Sequence, residues 1–65
     1  MSIAIQNHDS VGKYRHHSGT IYHVVAITNE KATKDGWVVE AVYFDESGTW
    51  WSRPLEDFLK NCQKI

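Results

Sequence analysis

Residues 21–28, Ile-Tyr-His-Val-Val-Ala-Ile-Thr, narrow the fold more than any other stretch of the chain. β-Branched and aromatic residues dominate it, and it contains neither glycine nor proline, so it reads as a strand. Alternate side chains of a strand point to opposite faces. Here both faces are largely apolar, which predicts a central strand in a sheet that rolls or closes to bury both sides.

The flanking sequence supplies the rest of a small antiparallel sheet. Residues 11–17 predict a first strand, closed by the turn pair Ser18-Gly19. The charged segment 29–36 ends in Asp35-Gly36 and predicts an exposed loop. A third strand is expected over residues 37–44, a turn over 45–48, and a short fourth strand over 49–53. Pro54 ends that strand, because it has no N–H for the ladder. It also suits the first position of a helical turn with Leu55, Phe58 and Leu59 on one face. Residues 1–10 start apolar (Ile3, Ala4, Ile5) and turn polar, which fits either a loose arm or an edge strand. No internal repeat is evident. The expectation is a mainly β, single domain over residues 11–65. It is a small SH3-like barrel or a rolled antiparallel sheet of four to five strands with a short C-terminal helical turn.

A chain of 65 residues has room for one core. The single cysteine, Cys62, excludes an internal disulfide and a multi-cysteine zinc cluster. Aromatic side chains supply part of the missing stability, and a homo-oligomer is the other expected remedy. The formal charge of −1 does not favour nucleic acid as a partner. No apolar run is long enough to span a membrane, and the N-terminus lacks the pattern of a secretion signal. A lone cysteine agrees with a reducing compartment, so a cytoplasmic location is expected.

The chemistry-bearing residues divide into weak and stronger sets. Adjacent His16 and His17 should point to opposite faces of a strand, while His16 and His23 could meet across the first hairpin. Without a CxxC or HExxH pattern, no metal site is expected, and no cofactor either. Cys62 lies in a lysine-flanked tail, where exposure and mild reactivity are expected; nothing aims a base at it. The acidic pairs Asp45-Glu46 and Glu56-Asp57 fit a turn and a helix start. Val11-Gly12-Lys13 lacks the remaining glycines of a phosphate loop. What remains is Tyr14, Arg15, His16, Trp50, Trp51 and Arg53. Arginine offers forked donors to phosphate or carboxylate, and aromatic faces stack on rings. If the first and last strands lie close, these residues line one cleft. Neighbouring Trp50 and Trp51 should face opposite ways, one into the core and one outward. The plainer alternative puts Tyr14, Tyr22, Trp51 and Phe58 in the core and pairs Arg15 and Arg53 with local carboxylates.

Tyr14-Arg-His-His-Ser-Gly19, then Tyr22-His-Val24, then residues 38–43, then Trp51-Ser-Arg-Pro-Leu55 with Phe58, resemble a small bacterial and phage family, domain of unknown function 1653. Its pattern runs Tyr-Arg-His-Tyr-Lys-Gly, Tyr-x-Val, a strand, and Trp-Val-Arg-Pro with a phenylalanine four residues after the proline. The resemblance puts Tyr14, Arg15, His16, Gly19, Tyr22, Trp51, Arg53, Pro54 and Phe58 at the family's recurrent positions. It implies no activity, since none is established for the family. His17 departs from the usual aromatic, and the segment 28–35 lacks the His-Ser-Glu-Thr run of many members. The short stand-alone form resembles a phage or mobile-element protein, which would place it in a host cytoplasm.

The residues together predict a non-enzymatic binding module for a small phosphorylated or nucleotide-like ligand. If phage-encoded, it would sequester a host nucleotide signal. The alternative is a protein–protein adaptor using an exposed Trp/Arg groove. Nucleic-acid binding ranks below both, and catalysis last, for want of converging titratable groups.

Overall fold

The computed structural model describes residues 5–32 and 36–65. The expected apolar start at Ile3 and Ala4 and part of the charged loop lie outside them. Five strands form one antiparallel sheet: β1 (Gly12–His16), β2 (Ile21–Thr28), β3 (Glu40–Asp45), β4 (Trp50–Pro54) and β5 (Cys62–Lys64). The helix α1 (Leu55–Asn61) lies between β4 and β5 in the chain. The spatial order is β4-β3-β2-β1-β5, so the doubly apolar β2 is central. β4 and β5 are both edges. The sheet is therefore rolled rather than closed into a barrel.

The roll has a local cause in β2. Val24 pairs with Tyr43 and Ala26 with Val42, which leaves Val25 as an extra residue on β2. A bulge of this kind bends its strand and increases twist. It also switches the inward positions from Tyr22 and Val24 before it to Ile27 after it. Beyond the bulge β1 has ended, and residue 6 takes over its place beside β2. Gln6 N–H donates to Val25 O at 2.9 Å. Its side-chain amide donates to Ile27 O at 3.2 Å and accepts from Ile27 N–H at 2.8 Å. Residues 5–10 are thus an ordered arm, with no strand assigned, that completes the ladder through one side chain.

The concave side holds the core: Tyr14, Val24, Ile27, Ala41, Tyr43, Phe58 and Cys62, with Tyr22, Val39 and Leu55 against it. Phe58 comes from α1 and sits 4.6 Å from the Tyr43 ring and 5.1 Å from Tyr14. The helix therefore closes the mouth of the rolled sheet. Pro54 and the acidic Glu56 and Asp57 mark its start, as the sequence indicates.

Three expectations are corrected. β3 begins at Glu40 rather than residue 37, and Trp37 and Val38 are exposed; among the described residues no strand pairs with them. The tail around Cys62 is not an exposed extension. It is β5, paired with β1 through His16↔Cys62, and the cysteine is buried. Burial pushes its thiol pKa up, opposite to what reactivity needs. Finally, neither adjacent tryptophan is core. β4 is an edge strand, so Trp50 on the outer face and Trp51 on the inner face are 50% and 45% exposed.

Candidate functional site

Two hairpin turns of the same build orient His16 and Trp51. His16-His-Ser-Gly-Thr20 joins β1 to β2, and Asp45-Glu-Ser-Gly-Thr49 joins β3 to β4. In each, the glycine N–H donates to the carbonyl of the first residue, at 2.8 Å in one and 3.0 Å in the other. Gly19 and Gly48 have φ of 97° and 89°, a conformation that favours glycine. The first side chain also accepts the serine N–H: His16 Nδ1 from Ser18 at 3.1 Å, Asp45 Oδ1 from Ser47 at 2.9 Å. Each serine hydroxyl lies 3.2 Å from the following threonine hydroxyl. The chain thus repeats one short pattern, Tyr-x-x-x-Ser-Gly-Thr, where no internal repeat was evident.

The first turn orients His16. With Nδ1 accepting from Ser18, the neutral ring carries its proton on Nε2, free to donate. The ring's pKa is lowered by desolvation first, then by His17 and Arg53, so His16 is largely uncharged at neutral pH. The second turn orients Trp51, whose indole Nε1 donates to Asp45 Oδ2 at 3.0 Å.

Between the concave sheet and α1 lies a cleft of about 210 Å³. His16 lines it from β1, Tyr22 from β2, Tyr43 from β3 and Arg53 from β4. Asp57, Phe58 and Asn61 line it from α1. The helical residues follow from spacing, since positions 57, 58 and 61 share one face. Asn61 Nδ2 also donates to the Asp57 carbonyl at 2.8 Å, which fixes its amide. Tyr22 and Tyr43 meet edge to face at 4.9 Å. Burial raises the Tyr43 pKa, against the pull of the Arg53 guanidinium beside it. The ion pair among the described residues joins His8 to Glu30 at 2.9 Å. Neither Arg15 nor Arg53 has a carboxylate at ion-pair distance there, so the plainer alternative, in which both arginines pair with local carboxylates, is not found.

The six residues singled out from sequence therefore separate. His16 and Arg53 line the cleft, and Trp51 stands on the same face of the sheet without lining it. Tyr14 is buried, and its hydroxyl donates to Ser10 O at 2.8 Å. Arg15 is exposed in a shallow groove with His17, Lys60 and Gln63, which shares His16 and Asn61 with the cleft. Trp50 faces the other side of the sheet, 5.2 Å from Phe44. The histidine geometry also differs from expectation. His16 and His17 rings are 4.0 Å apart, because β1 ends at His16 and alternation stops there. His23 points outward and stacks on Phe44 at 5.0 Å, away from His16. Sequence reasoning passed over Tyr43, Asp57 and Asn61; strand alternation from Ala41 and helical spacing from Phe58 carry their signal.

Neither the curated proteins nor the solved structures yield a match. A family model described as protein of unknown function (DUF1653) matches residues 12–64. His16, Tyr22, Arg53 and Phe58, four cleft positions, fall among the motif residues that carry the resemblance. With most of its length matched, the chain belongs to this family.

Proposed function

We propose that the chain is a non-enzymatic binding module whose cleft holds a small phosphorylated or nucleotide-like ligand. The observation that carries this reading is Arg53, unpaired with any described carboxylate, meeting His16 and two tyrosines in one cleft. A guanidinium offers paired donors that match phosphate oxygens. A neutral His16 adds an Nε2–H donor without requiring acid pH. Asp57 supplies acceptors for the amino or hydroxyl groups of a base or sugar. The cleft is smaller than the roughly 300–1,000 Å³ of drug-sized sites, so it suits one end of such a ligand. The adjoining groove, with Arg15 and Lys60, gives further phosphates a cationic path. Binding without turnover would act by sequestration.

The test is titration with nucleoside mono- and diphosphates and inorganic phosphate, followed by nuclear magnetic resonance. Shifts confined to Tyr22, Tyr43, Arg53 and Asn61 are expected. Arg53→Ala should abolish them and leave the fold intact, since Arg53 is exposed. Unperturbed spectra across the series, or an unfolded variant, would return these residues to a structural role.

A further inference from the structure

The two edges of the sheet are built differently. β5 is three residues long, carries Lys64, and is tied down by Lys64 Nζ donating to Asp9 O at 2.7 Å. Short, lysine-bearing edges resist pairing. β4 is five residues long, exposed at its first four positions, and shows two half-exposed indoles. Among the described residues no element pairs with its outer side.

The register with β3 sorts the β4 side chains. Trp51 and Arg53, opposite Tyr43 and Ala41, stand on the cleft face. Trp50, Ser52 and Pro54 stand on the outer face. This order is self-complementary. With Ser52 on a twofold axis, antiparallel pairing sets Trp51 opposite Arg53 of a second copy, and Trp50 opposite its Pro54, which accepts from Trp50 N–H but gives no ladder bond in return. The cleft face then gains two tryptophan–arginine pairs at cross-strand distance, suited to cation–π contact. The two pairs are the same contact made twice by the twofold axis. Trp51 is already held by Asp45, so little side-chain freedom is lost on pairing.

We propose that the chain forms a twofold dimer through β4, in which Trp51 of each copy lies beside Arg53 at the other's cleft. Other extended peptides could add to a bare edge, but the Trp-Trp-Ser-Arg-Pro order selects a second copy of itself. The pairing follows from the strand edge and holds whatever the cleft binds.

Sedimentation equilibrium from low micromolar to near-millimolar protein tests it. A mass rising to twice the 7.5 kDa of one chain is expected. Trp51→Ala, checked by circular dichroism, should weaken association roughly tenfold or more. Ser52→Cys should form a disulfide-linked dimer on mild oxidation, because the two substituted residues meet on the axis. Ser47→Cys, in the exposed turn, should not, and buried Cys62 does not compete. A monomer at every concentration, or equal cross-linking of the two cysteine variants, overturns the dimer. A monomer that still takes phosphorylated ligand at Arg53 also overturns it, and leaves the ligand reading standing.

Discussion

Among the described residues, the half-buried Asp45 carries more side-chain hydrogen bonds than any other side chain. It accepts from the backbone of Ser47 and Thr49, from the Ser47 hydroxyl and from the Trp51 indole. These bonds favour the ionised carboxylate and lower its pKa from 3.8 to about 2, the Ser47 and Trp51 side chains contributing most. The sign follows from linkage. A depressed carboxylate stabilises the fold fully above its unfolded value, and that contribution is lost as pH falls through the folded value. The Trp51 indole N–H resonance is therefore expected to hold steady through pH 3.8 and shift with a midpoint near 2. A midpoint at the ordinary 3.8 would mean that the bonds do not hold the indole. Sequence made Asp45 legible as a turn residue, because carboxylates recur there. Its grip on Trp51 was not legible, since it depends on two strands arriving in register.

At the scale of elements, the legible parts were those with strong local chemistry. β2 came out with its predicted bounds, and Pro54 with Leu55 and Phe58 announced the helix, although Leu59, expected on the same apolar face, is exposed. β5 did not, because Cys-Gln-Lys has no strand pattern of its own and pairs only where β1 offers a free edge. The arm was ambiguous for a related reason: Gln6 acts as a strand substitute solely because the Val25 bulge displaces the ladder. Gln6→Ala removes two side-chain hydrogen bonds to Ile27, each worth about 1 kcal/mol. A loss of about 1–2 kcal/mol in urea unfolding is expected, with the slope unchanged. No loss would show that the arm is held by other contacts.

For the molecule as a whole, a core of this size supplies no more than about 3–5 kcal/mol of stability. Phe58 joins helix to sheet in that core and is 2% exposed. Phe58→Ala typically costs about 3–5 kcal/mol, so the variant is expected to be unfolded by circular dichroism at room temperature. A folded variant would mean that the helix contributes little to closing the sheet. The same residue lines the cleft, so core and site are one structure seen from two sides. That shared wall explains why the site was only half legible: His16 and Arg53 stand out by chemistry, whereas Tyr43 reads as core until the helix is placed.

The proposed phosphorylated ligand stands or falls with Arg53. Native mass spectrometry of the protein and of Arg53→Ala, each desalted after incubation with a bacterial metabolite extract, tests it most directly. An added mass matching a phosphorylated compound is expected on the unaltered protein, absent after denaturation and absent from the variant. Identical bare spectra for both proteins, or an adduct that persists in Arg53→Ala, would contradict it.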